Sequence, residues 1–180
     1  PIAGDQVTND IAMALRTPTN AAEDIKRKYA AVISNKASVN QMIEVPSIND
    51  RPGRKISAKA LADVVSARYE ELFALVKNEL DRSGFKDLIA AGMVMTGGAS
   101  SVEGVIELAE MIFEMPVRLG RPQHVDNLPD LINDPSYATG VGLLLYGLHQ
   151  QYDTHMHVSN VNHNIKSMFG KMRDWFQGNF

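Results

Sequence analysis

The sequence predicts an α/β fold from three observations. A short apolar run, Met93-Val94-Met95, reads as a buried strand. It breaks at Gly97-Gly98 and resumes as a helical pattern, with Val105, Leu108, Ala109, Ile112 and Phe113 at three- and four-residue steps. Past Met115-Pro116, Val117-Arg118-Leu119 reads as a further strand. Glycines between a strand and a helix allow a tight turn and close approach of a ligand to the backbone. The helix that follows offers unpaired N–H groups to an anion or polar ligand. The same succession also serves α/β proteins with nothing bound at the turn.

The chain of 180 residues suits one ordinary domain, or a lobe with a smaller subdomain. Its apolar fraction of 44% is enough for a packed core. A formal charge of -3 argues against a phosphate-driven nucleic-acid binder. Without cysteine there is no disulfide framework and no thiolate chemistry, which is compatible with a reducing compartment. No apolar run reaches the length needed to span a bilayer. The opening Pro1-Ile2-Ala3-Gly4-Asp5 lacks the regions of a signal peptide and does not resemble a natural start, so a fragment is expected.

Residues 1–6 read as irregular. Val7, Ile11, Ala14 and Leu15 then share a helical face, with Thr8 available as a cap and Pro18 as the stop. Asn20 and Glu23, three apart, can cap reciprocally a second helix that runs to about Tyr29. Glu23 and Lys26 point to roughly one face. They are either a cap with a surface ion pair or two polar arms for a ligand's hydroxyls. Ala31-Val32-Ile33, Met42-Ile43-Glu44-Val45 and Lys55-Ile56, with a turn at Arg51-Pro52-Gly53, suggest a small sheet separate from the main one.

Ser57 caps the longest helix, which Gly84 ends. Leu61, Val64, Val65, Leu72, Phe73, Val76 and Leu80 form its apolar face. The other face, with Arg68, Glu70, Glu71, Lys77 and Glu79, is solvated or docks a peptide. Residues 120–135 form a long connection with room for a short helix between prolines. From Ser136 to Gly147 the residues are small, then apolar, as in a helix packed closely on the sheet. The core ends near Leu148.

Residues 149–164 are polar and lack an apolar period, as a linker does. A weak metal site can be drawn at His155 and His157, but it has no carboxylate shell. In residues 165–180, Ile165, Met168, Phe169, Met172, Trp175, Phe176 and Phe180 fall on one helical stripe. Three basic residues against one acidic give this stretch a side-chain charge of +2. Such a helix can lie in an anionic bilayer interface; it can instead dock on the protein's own core or on a partner.

Val94-Met95-Thr96-Gly97-Gly98-Ala99-Ser100-Ser101-Val102-Glu103-Gly104 resembles the adenosine motif of actin-like ATPases. Four further stretches extend the likeness: Gly4-Asp5-Gln6-Val7-Thr8-Asn9-Asp10-Ile11-Ala12, Ala22-Glu23-Asp24-Ile25-Lys26, Met115-Pro116-Val117-Arg118-Leu119-Gly120 and Tyr137-Ala138-Thr139-Gly140-Val141-Gly142-Leu143. Together with the tail they resemble the C-terminal half of the FtsA family of bacterial cell-division proteins.

That resemblance implies the second lobe of an actin-like ATPase (the actin/Hsp70/sugar-kinase superfamily) with an inserted small α/β subdomain. Residues 1–29 and 91–148 would be the nucleotide-facing subdomain. Residues 30–90 would be the outer subdomain that receives the C-terminal peptide of FtsZ. It further implies that ATP is bound with weak or no hydrolysis, its Mg2+ held by parts of the protein absent from this chain. Glu23, Lys26, Gly97, Gly98 and Ala99 would contact the nucleotide, and Arg68, Tyr69 and Glu70 the FtsZ peptide. Implied partners are FtsZ, further copies of the protein in a filament, an anionic phospholipid membrane and other division proteins, but no nucleic acid. The implied place is the cytoplasmic face of the inner membrane at the division site. A carbohydrate-kinase-like enzyme and a chaperone-like ATPase of the same superfamily are the alternatives.

Overall fold

Apolar spacing sets the first two helices. Val7, Ile11 and Leu15 recur every fourth residue and are buried along one face of α1 (Gly4–Leu15). Ala22 and Ile25, three apart, are the buried residues of α2 (Thr19–Tyr29), which packs against α1. The computed structural model describes residues 4–33, 41–48, 52–123 and 132–150. The linker and tail from residue 151 on, and the short helix expected in 124–131, lie outside them.

Three local expectations change. Gly4, Asp5 and Gln6 are helical, not irregular, and Thr8 is a buried residue inside α1 instead of its cap. Ala14 is exposed, because the buried face of α1 runs through Val7, Ile11 and Leu15. The reciprocal cap of α2 does not form. Pro18 holds the cap position, and Asn20 Oδ1 accepts only from the adjacent Ala21 N–H at 2.9 Å. Glu23 is drawn away by stronger, charged partners.

A small antiparallel hairpin follows, separate from the other strands; Ala31-Val32-Ile33, expected in the same small sheet, is not part of it, and Ala31 bridges Glu103 instead. β1 (Met42–Val45) pairs with β2 (Arg54–Ser57), Ile43 opposite Ile56. Strand alternation turns Ile43 and Val45 inward and leaves Met42 exposed. β2 runs straight into α3 (Ala58–Ser83) through Ser57, whose Oγ accepts from Ala60 N–H at 3.2 Å. Gly84 ends α3 in the left-handed region at φ 73°, where a glycine carries no steric penalty.

Ala58, Leu61, Ala62, Val65, Tyr69 and Phe73 are the buried residues of α3. The rings of Tyr69 and Phe73 lie 5.9 Å apart, and Phe73 meets Phe113 at 5.5 Å, tying α3 to α4 (Val105–Phe113). Val64, Leu72, Val76 and Leu80, read as apolar-face residues, are only half-buried; no residue of α3 beyond Phe73 is buried.

β3 (Met93–Met95) and β4 (Val117–Leu119) pair in parallel, Met93 opposite Val117, with α4 in the crossover between them. A parallel pair needs such a crossover. Gly92, at φ 84°, lets the chain enter β3 against Pro116, where an added Cβ would stand 2.1 Å from the Pro116 carbonyl oxygen. Gly92 has no substitute there.

The chain divides after Ala138 into two units. In the second, residues 139–150 are helical and none of them is buried. A Cβ on Gly140, Gly142 or Gly147 would meet nothing within 4 Å. No helix among the described residues is long and apolar enough to cross a membrane.

Candidate functional site

α1 and α2 are joined by a polar cluster centred on one ammonium. Lys26 Nζ donates to Glu23 Oε2 at 2.6 Å, Thr8 Oγ1 at 2.7 Å and the Gly4 carbonyl at 3.1 Å. Those three bonds use every proton it carries. The Thr8 hydroxyl gives its own proton to Glu23 Oε2 at 2.5 Å, the shorter of its two acceptor contacts. Arg27, one turn beyond Glu23, donates from Nε to Glu23 Oε1 at 2.8 Å. Burial alone would raise the Glu23 carboxyl; the hydrogen bonds from Lys26, Thr8 and Arg27 outweigh it and hold the pKa at about 2. Glu23 is a fixed anion.

Opposite stands the turn after β3. Gly97 is at φ 92°, a conformation that favours glycine, and its N–H bonds the Pro135 carbonyl at 3.1 Å. Gly98 to Ser101 form a tight 3-10 turn, and α4 starts only after Gly104, itself at φ 83°. A second such turn, Pro135–Tyr137, is capped by Asp134, which accepts from the Ser136 N–H at 2.9 Å and from its hydroxyl. Those bonds lower the Asp134 carboxyl below its ordinary value. A Cβ on Gly98 would lie 3.5 Å from Ser136 Cβ, so the two turns sit close together.

Between these walls lies a cleft of about 700 Å3. Glu23, Lys26 and Arg27 line one side, and Gly98, Ala99, Asp134 and Ser136 line another. Residues 75 positions apart are thus brought together, and four of the five expected nucleotide contacts face one space. Gly97, the fifth, is adjacent in sequence to Gly98 but does not itself line the cleft. Carboxylates here can accept from hydroxyls, cations can meet an anion, and a wall without a side chain admits close contact. That is chemistry for holding a polar ligand.

Arg68, Tyr69 and Glu70 are not brought together. Tyr69 is buried and turns to the cleft, its hydroxyl donating to the Ala99 carbonyl at 2.7 Å. Burial pushes that hydroxyl up to about 12. Arg68 turns to a groove of about 520 Å3 between α1 and α3, where it grips Asp10 through Nε at 2.5 Å and Nη2 at 2.8 Å. Its Nη1 reaches Glu71 at 2.5 Å. Glu70 is exposed and accepts from Ser66 Oγ at 2.8 Å.

Sequence reasoning missed Arg27, Asp134 and Ser136 as parts of the cleft, and Thr8 as the buried partner of Glu23 and Lys26. Only Arg27 carried a local signal, four residues after Glu23 on a helix.

The fold recurs in solved structures. Those of MreB5 of Spiroplasma citri bound to ADP and to AMPPNP match with TM-scores of 0.66 and 0.64, at 16% identity, over 86% of this chain and 46% of theirs. The fold is that of the actin-like ATPases. A family model described as "Cell division protein FtsA" matches residues 1–142. The whole chain is 55% identical to cell division protein FtsA of Pseudomonas aeruginosa and 36% identical to that of Escherichia coli K12. Over 80% of its length it is 44% identical to that of Neisseria meningitidis serogroup B. The chain belongs to the FtsA family. It spans 44%, 45% and 35% of those three relatives, less than half of each.

Proposed function

We propose that this chain supplies one wall of an ATP-binding cleft in an actin-like cell-division protein that ties FtsZ filaments to the membrane. The observation that carries the reading is the convergence of Glu23 and Lys26 with Gly98 and Ala99 on one cleft. Its volume of about 700 Å3 lies in the usual range for small-molecule sites. In it, Glu23 accepts from a ribose hydroxyl, and the Gly97-Gly98-Ala99 turn lies along the ribose and phosphates. Among the described residues no three His, Asp or Glu side chains converge as metal ligands would.

The outer surface of α3 is the proposed seat of the FtsZ C-terminal peptide, with Arg68 beside Asp10 and Glu71 and with Glu70 exposed nearby. The aromatic, cationic stretch 165–180 is the proposed anchor, placing the protein on the cytoplasmic face of the membrane. Self-assembly into an actin-like filament, and contact with other division proteins, belong to the same proposal.

Gly98→Arg tests the cleft. An arginine there fills the space in front of Ser136, so the whole protein should lose ATP binding in calorimetric titration. Unchanged affinity would reduce the glycine motif to a turn.

A further inference from the structure

Three consecutive cations on α2 line the cleft, and their surroundings differ. Lys26 is 14% exposed and spends all three of its protons on Glu23, Thr8 and the Gly4 carbonyl. To touch a ligand it would have to give up one of those three bonds, two of which hold α2 to α1. Lys28 Nζ sits 5.1 Å from the centre of the Tyr29 ring. Arg27 is 76% exposed, and among the described residues only its Nε is engaged, on Glu23. The four N–H bonds of its two terminal nitrogens make no hydrogen bond among the described residues.

We infer that Arg27, and not Lys26, is the cation that meets the ligand of this cleft, while Lys26 is a positioning residue that fixes Glu23. The inference rests on the cleft reading above and divides its labour. A guanidinium is a rigid plane with donors along its edges. Glu23 holds the Nε edge, which orients that plane at the cleft rim and leaves the other edge and both faces open. The open edge matches a phosphate in bidentate fashion, and the faces match an aromatic base. Lys26 acts from behind. It keeps the Glu23 carboxylate ionised and pinned, and Glu23 in turn steadies Arg27.

The test uses the whole protein and two probes, ATP and adenosine, titrated calorimetrically into the wild type, Arg27→Met and Lys26→Met, with the melting temperature of each unliganded protein. Arg27→Met should weaken ATP about tenfold, the loss expected for one charge-assisted contact, and leave the unliganded melting temperature unchanged. Lys26→Met should lower the unliganded melting temperature. An equal loss for adenosine places the Arg27 plane on the base, and a loss confined to ATP places it on a phosphate; both support the inference. Wild-type affinity for both probes in Arg27→Met would overturn it. So would a Lys26→Met protein that loses affinity at an unchanged melting temperature. A wild type that binds neither probe would overturn the cleft reading itself.

Discussion

Glu23 shows how one side chain links stability to the cleft. Its folded pKa of about 2 lies below the ordinary 4.5. A depressed carboxyl contributes stability in full above the unfolded value and loses it as pH falls through the folded one. The window is therefore pH 4.5 down to about 2. Glu23→Gln should flatten the fall in stability across that window in urea titrations, against a steeper fall in the wild type. Parallel profiles would mean that the cluster does not hold Glu23 ionised. The three-residue step from Glu23 to Lys26 was visible in the sequence. Their third partner, Thr8, was not, because it lies 15 residues before Glu23 and meets it only after α1 and α2 pack. The turn of Tyr69 towards the cleft was hidden for a related reason. Neighbours on a helix point about 100° apart, so Tyr69 and Arg68 leave α3 towards different surroundings.

At the scale of elements, the signals written in adjacent residues were the legible ones. Ser57 before Ala58, Gly84 after Ser83, and the paired glycines after β3 each mark a boundary that the structure keeps. The cap of α2 failed because an ion pair with Lys26 and Arg27 competes for Glu23, and charge-assisted bonds are the stronger. α3 depends on its cap at the point where the hairpin hands over to the helix. Ser57→Ala should cost about 1 kcal/mol of stability through the lost bond to Ala60 N–H. Equilibrium unfolding of the variant checks this, and a value near zero would show that packing alone fixes the helix start. α3 also sends Tyr69 to the Ala99 carbonyl and Arg68 to Asp10 on α1. One helix thus touches both the cleft and the α1–α3 groove.

For the whole molecule, the α/β class and the actin-like family were readable because an ordered set of motifs runs from Gly4 to Leu143. The partition at residues 30 and 90 was an implication of the resemblance. α1, α3 and α4 share one buried core, through Ile11, Val65, Phe73 and Phe113. Shared packing of that kind leaves no composition change for a reader of sequence to find. The amphipathic stretch 165–180 makes a separate prediction. The chain should pellet with anionic vesicles and should stay in solution when those residues are removed. Equal pelleting of both forms would place membrane contact elsewhere. Gly170, which costs about 1 kcal/mol of helicity, favours a helix that forms on contact.

Hydrogen exchange of the whole protein with and without ATP tests the central claim, that two distant segments form one nucleotide wall. ATP should slow amide exchange in residues 19–30 and in 97–104 together, and leave the exposed end of α3 in residues 74–83 unchanged. Protection that spares either segment, or none at all under saturating ATP, would contradict the account.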